Sequence, residues 1–273
     1  FNKQTDIDPV AESWELSCHH DGQSIISNGE FSGKTLAQYI ETVGKQVIGT
    51  KAPKDKDFPI LIKFIDAKQS LSVQVHPDDK YALLHEGESG KTEMWYVMDA
   101  TPDATLIYGF THEISHQEFE RRIKDNTLLE VCNQVPIKKG DVFFIEAGTL
   151  HAIGAGALIA EIQQSSNSTY RVYDYGRVGK DGEKALAVTK LEPPTRKPEP
   201  IAKLTAFADY DLTILAQCEL FNVSHFDLHG NCSLNAKKDS FHSILVLDGQ
   251  IALTYGNDSF TITKGESVFI PAD

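Results

Sequence analysis

Through most of the chain, apolar and polar positions alternate over short runs. Ile60–Asp66, Leu71–Val75, Met94–Met98, Thr105–Tyr108, Asp141–Ile145, Ala157–Gln164, Phe221–Asp227, Ser243–Leu247, Gln250–Tyr255, Ser259–Thr263 and Ser267–Ile270 each read as a strand. Turns carrying Gly or Asp separate them at the spacing of an antiparallel barrel or sandwich, so the pattern predicts a mainly β chain. Two segments depart from it. Lys34–Ile48 carries Leu36, Tyr39, Ile40, Val43 and Val47 at helical spacing. Ser115 is followed three residues later by Glu118, the signature of a capped helix start, and Phe119, Ile123 and Leu128 then fall near one face. Helical insertions are therefore expected at about 34–48 and 116–131.

A repeat divides the chain. Around Gly140 it reads K-G-D-V-F-F-I-E-A-G-T-L-H, and around Gly265 it reads K-G-E-S-V-F-I-P-A-D. Both units share Lys-Gly, an acid, an apolar run and a small residue at the turn, which argues for two related modules. Between them Glu192–Pro200 (EPPTRKPEP) reads as a stiff connector. The expected organisation is a first domain over 1–190, a Pro-rich linker over 191–203 and a smaller β module over 204–273.

Composition narrows the function class. The chain has 273 residues, 41% hydrophobic and 24% charged, which are ordinary globular values. No apolar run approaches the roughly 18–20 residues of a membrane span, and nothing over Phe1–Asp21 reads as a signal peptide. The formal net charge of −13 argues against nucleic-acid or anionic-membrane partners, which need excess Lys and Arg. A small anionic ligand stays open, because a local positive cluster overrides the global sign. Cys18, Cys132, Cys218 and Cys232 are dispersed, which excludes a disulfide scaffold or a cysteine zinc site and suits a reduced, cytoplasmic setting. No feature specifies an oligomeric state.

Strand alternation also gathers chemistry. In L-S-V-Q-V-H-P (71–77), Gln74 and His76 share one face, while Val73 and Val75 take the other. In G-K-T-E-M-W-Y (90–96), Lys91 and Glu93 share a face, and His151 opens another strand after A-G-T-L. One amide oxygen, two imidazoles and one carboxylate make a four-ligand set for zinc or a similar divalent ion. A lone strand histidine is more often structural; the combination carries the reading. F-S-G-K-T (31–35) and E-S-G-K-T (88–92) imitate the end of a P-loop, but Asn28 and His85 stand where its first Gly belongs. Gly154 and Gly156 lack the third Gly of a dinucleotide fingerprint. His19–His20, His112/His116 and His225/His229 carry no partnered motif.

G-D-V-F-F-I-E-A-G-T-L-H (140–151) resembles the second motif of the cupin superfamily, and the Gln74/His76/Glu93 group resembles the first, with Gln replacing its usual first His. S-V-Q-V-H-P-D-D (72–79), G-K-T-E-M-W-Y-V (90–97) and E-I-Q-Q-S-S-N-S-T-Y-R-V-Y-D (161–174) are similar to the type I mannose-6-phosphate isomerases in their short bacterial form. So are E-S-W-E-L-S (12–17) and L-I-K-F-I-D-A (61–67). The resemblance implies two cupin-type jelly-roll modules, the second without metal ligands. It implies one zinc per chain, held by Gln74, His76, Glu93 and His151, with Arg171 and Lys91 catalytic and in contact with a sugar phosphate. Trp14 is a further expected pocket contact, and Arg177 an expected cation at the rim. Gly90 stands where the long-form enzymes have His, so a proton-transfer role of that His has no counterpart here.

The implied reaction interconverts mannose 6-phosphate and fructose 6-phosphate through an enediolate. Zinc with one carboxylate ligand keeps a net positive charge, which favours that oxyanion over the neutral sugar. Two other classes fit part of the pattern: an iron(II) cupin oxygenase, which Gln74 as a fourth ligand counts against, and a non-catalytic cupin that binds sugar phosphate without turnover.

Overall fold

A computed structural model describes residues 3, 5–8, 10–53, 58–175 and 181–273. In chain order the first elements are β1 (Glu12–Leu16), α1 (Leu36–Val43), β2 (Ile60–Ala67), β3 (Val73–Val75), α2 (Asp79–His85), β4 (Glu93–Ala100) and β5 (Thr105–Phe110). Next come α3 (His116–Asp125), β6 (Cys132–Pro136), β7 (Val142–Ile145), β8 (His151–Ile153), β9 (Ala157–Gln164), β10 (Tyr170–Tyr173) and α4 (Gly182–Val188). The last are β11 (Thr205–Ala206), β12 (Tyr210–Gln217), β13 (Asn222–Leu228), β14 (His242–Leu245), β15 (Gln250–Tyr255), β16 (Asp258–Thr263) and β17 (Ser267–Ile270). The chain is mainly β, as its alternation predicts.

The residues fall into two compact units, 1–63 with 232–273, and 64–231. In the first, β14 pairs with β17, and β15 with β16, both antiparallel. Ser267 Oγ donates to the Glu15 carbonyl at 2.7 Å, tying β17 to β1. The helix expected over 34–48 is cut in two: α1 stops at Gly44, whose φ of 110° lies outside the helical range, and a 3-10 turn over Lys45–Ile48 follows. Thr35 caps α1 through a capping box with Gln38.

In the second unit, β9–β4–β7 run antiparallel in one sheet, and β10–β3–β8–β5–β6 form another. Among the described residues no strand pair closes the two into a barrel. Between them lies an apolar layer in which Trp95, Val97, Phe143 and Ile159 meet Leu106, Tyr108 and Ile153. The opposite face of the second sheet presents Val73, Val75, Tyr170 and Val172 to Phe119 and Ile123 of α3 and Ala185 of α4. Each fully buried residue of this size contributes about 1.5–3 kcal/mol. Ser115 caps α3 by accepting from Glu118 N–H at 3.1 Å, as its sequence predicts. A three-stranded sheet, β11–β12–β13, also belongs to this unit, as does the Pro-rich segment 191–203. Pro194 packs so closely on Gly109 of β5 that a Cβ there would meet its ring at 2.4 Å.

Candidate metal centre

Three antiparallel pairings set one row of side chains. Arg171 is opposite Gln74 on β10–β3, Gln74 is opposite His151 on β3–β8, and His151 is opposite Tyr108 on β8–β5. Directly opposed residues project from the same face of a sheet, so all four point toward the space between the sheets. His76 follows the end of β3, two residues beyond Gln74. Glu93 comes from the facing sheet at the start of β4, with Gln163 as its register partner on β9.

These strands bring the donors together. Nε2 of His76 and Nε2 of His151 are 3.1 Å apart. Glu93 Oε2 lies 3.6 Å from the first and Oε1 3.4 Å from the second. The amide end of Gln74 lies 3.4 Å from His151 Nε2, with its other end accepting from Ser72 Oγ at 3.2 Å. A half-turn of that amide exchanges its two ends and turns the oxygen inward, leaving Ser72 Oγ to accept. His76, Glu93 and His151 are all buried, the carboxylate completely.

The outer ring nitrogens decide what this cluster can hold. His76 Nδ1 lies 2.9 Å from the Ser168 carbonyl and His151 Nδ1 2.8 Å from the Thr149 carbonyl. A carbonyl only accepts, so each Nδ1 carries a proton, and in the neutral ring the Nε2 lone pair faces inward. Burial pushes the His151 pKa down to about 4, with the Lys91 ammonium adding to it against the Thr149 carbonyl and the Glu161 carboxylate. His151 is therefore neutral near pH 7, as a metal ligand must be. Two lone pairs and a carboxylate converge with spacings near about 3.3 Å, the edge of a tetrahedron of ligands about 2.0–2.1 Å from one ion. The donor set fits a divalent cation.

Lys91 and Arg171 flank it differently. Lys91 is buried, with Nζ 3.5 Å from Glu93 Oε2. Arg171 is exposed, and its strand is held by Asp181, which accepts from Arg171 N–H at 3.0 Å and donates to the Arg171 carbonyl at 2.8 Å. Gly90 has no room for a side chain: a Cβ would lie 2.3 Å from Asp79 N. The departure from the long-form pattern is thus built into the backbone.

Trp14 lies in the other unit, on β1. Its Nε1–H donates to Glu12 Oε1 at 2.7 Å, and the Lys63 ammonium sits 5.1 Å from its ring centroid. Arg177 lies outside the described residues. Sequence reasoning missed Glu161, a buried carboxylate opposite Trp95 that accepts from its indole N–H at 2.9 Å. The signal was there, an acid within the apolar run A-L-I-A-E-I at 157–162. It missed as well the Ser168 and Thr149 carbonyls, which no side-chain pattern announces.

Comparison with known proteins supplies the family. Residues 3–105 match the model of the phosphomannose isomerase type I catalytic domain, and residues 211–273 match the mannose-6-phosphate isomerase cupin domain. The chain is 37% identical to mannose-6-phosphate isomerase ManA of Bacillus subtilis, over 96% of this chain and 84% of that one. It is 35% identical to mannose-6-phosphate isomerase of Streptococcus mutans, over 99% of this chain and 85% of that one. A crystal structure of mannose 6-phosphate isomerase from Bacillus subtilis superposes with a TM-score of 0.86 at 33% identity, covering 96% of this chain and 84% of that one. At 18% identity, apo mannose 6-phosphate isomerase from Salmonella typhimurium shares the fold, with a TM-score of 0.72 over 97% of this chain and 86% of that one. Two domain models in order and relatives above 30% identity along nearly the whole chain make it a member of the type I phosphomannose isomerase family.

Proposed function

We propose that this chain interconverts mannose 6-phosphate and fructose 6-phosphate, with one zinc held by Gln74, His76, Glu93 and His151. The observation that carries the metal reading is the pair of inward Nε2 atoms 3.1 Å apart, each ring held by a carbonyl behind its Nδ1. The substrate comes from the family, whose relatives are named for it. Bound zinc would supply Lewis acidity, stabilising negative charge that develops on the sugar oxygens.

The reaction moves a proton between the first and second sugar carbons through an enediolate, so charge appears on oxygen in the transition state. The buried Lys91 ammonium adds a positive charge where little water screens it. Arg171, exposed at the end of the same row as Gln74 and His151, offers directional donors to that oxyanion or to the phosphate. Both act against a long-range repulsion, since the whole chain carries −13. Trp14 and Arg177 enter this reading from the sequence alone, as substrate contacts.

The test is a coupled assay of the purified chain with mannose 6-phosphate, before and after chelation. Turnover that disappears on chelation and returns with zinc supports the reading. Sugar-phosphate binding without turnover, or oxygen uptake with iron bound, would replace it with one of the other two classes.

A further inference from the structure

The two histidines are oriented by carbonyls of different kinds. The Thr149 carbonyl belongs to the turn that leads into His151, a turn closed by Thr149 N–H donating to the Glu146 carbonyl at 2.9 Å. The Ser168 carbonyl reaches His76 from 92 residues further along the chain. It sits in the segment between β9 and β10, which has no strand or helix of its own to fix it.

Side chains fix that segment instead. At its start, Gln163 Nε2 donates to the Gln164 carbonyl at 2.8 Å and to the Ser166 carbonyl at 2.7 Å. At its centre, Glu88 Oε2 accepts from Asn167 N–H at 3.0 Å, Ser166 Oγ at 3.1 Å and Ser168 Oγ at 3.3 Å. Ser166 Oγ in turn accepts from Ser168 N–H at 3.2 Å. One carboxylate oxygen thus gathers three successive residues, the last being the residue whose carbonyl faces His76. Bonds to an ionised acceptor are roughly twice as strong as neutral ones, so the segment has one preferred place.

We propose that Glu88 is a positioning residue of the metal centre: by clamping Ser166–Ser168 it aims the Ser168 carbonyl, and thereby fixes the His76 tautomer and ring direction. It acts on His76 through Ser168, whose hydroxyl it accepts from. The proposal rests on the metal reading above. Groups that orient a metal-ligating histidine typically hold 10–100-fold in metal affinity, and Glu88 stands one step further out.

The experiment uses the full chain, stripped by chelator. Long-range 1H–15N spectra report the His76 tautomer, and chelator competition with zinc reports affinity. In the wild-type chain, His76 is a single Nδ1–H form. Glu88→Ala mixes the two tautomers and weakens zinc by about tenfold. Glu88→Gln keeps an acceptor oxygen and recovers part of the loss, which a requirement for charge alone does not predict. Ser166→Ala removes one donor to Glu88 and the acceptor of Ser168 N–H, and gives a smaller shift of the same sign, so the proposal stays testable if Glu88→Ala does not fold. Wild-type tautomer and zinc affinity in Glu88→Ala, or in Ser166→Ala if that is the folded variant, overturns the role of Glu88 and leaves the metal centre standing. A wild-type chain that binds no zinc overturns the metal reading, and the proposal falls with it.

Discussion

His76 and His151 face each other through Nε2 atoms 3.1 Å apart, each with its Nδ1 turned to a backbone carbonyl. With the buried Glu93 carboxylate, these two nitrogens make the donor set a divalent cation takes. Replacing either histidine by Ala removes one of the donors and leaves Glu93 buried beside an incomplete set. His76→Ala and His151→Ala are each expected to lose bound zinc and to lower turnover by at least about 10³-fold, the scale of an essential electrostatic group. Elemental analysis beside the rate checks this; full zinc content in both variants would remove these residues from the centre.

Arg171 and Gln74 are register partners, and the proposed ligand set takes only Gln74. Arg171→Ala is therefore expected to keep zinc and to lose about 10²–10³-fold in turnover, since a cation aimed at developing charge acts mainly in the transition state. Zinc content falling in step with rate would make Arg171 a structural residue.

Lys91 is buried 3.5 Å from Glu93 Oε2. Two roles compete: neutralising Glu93, or acting on the substrate. Lys91→Met keeps the volume of the stem and removes the charge, and is expected to leave zinc bound while lowering turnover by about 10²-fold. Near-normal turnover would leave Lys91 only as the partner of Glu93.

Much of this arrangement was readable from residue pattern, and the exceptions have physical causes. The opposite faces of Gln74 and Val73/Val75 followed from strand alternation, and the structure packs both valines against α3 and α4. Helix α2 escaped notice because Leu83 and Leu84 are exposed, so no apolar stripe marks it; its readable signal was the cap, Asp78, which accepts from Tyr81 N–H at 2.8 Å. The helix expected over 34–48 ends early because the apolar spacing continues across Gly44 while the helical backbone does not. Within the site the side-chain donors were legible, whereas the Ser168 and Thr149 carbonyls were not, because every residue owns a carbonyl.

Gly90 gives a stability prediction. A Cβ at this position would press on Asp79 N and on the Asp78 carbonyl carbon, at 2.3 and 2.4 Å, both of them backbone. Gly90→Ala should cost about 1–3 kcal/mol, the range of an overpacked site, read as a lower urea midpoint at unchanged slope. An unchanged midpoint would show that the turn after α2 yields freely.

Glu86 sets a pH dependence. Its carboxylate accepts from Lys184 Nζ at 2.7 Å and from Tyr170 O–H at 2.8 Å, and these bonds hold its pKa below the usual carboxylate range. A depressed folded pKa stabilises the fold above the unfolded value of about 4.3 and loses that contribution as pH falls through the folded value. Glu86→Gln should accordingly be less stable than wild type above about pH 5, with the gap closing in acid. Urea unfolding at several pH values reads this, and a gap that widens in acid would contradict it.

The most direct measurement is a titration of the stripped chain with zinc, following bound metal and turnover of mannose 6-phosphate together. The account predicts that both rise in proportion and break at one zinc per chain, and that neither does so in His151→Ala. Full turnover in a chain shown by elemental analysis to hold no metal would contradict it.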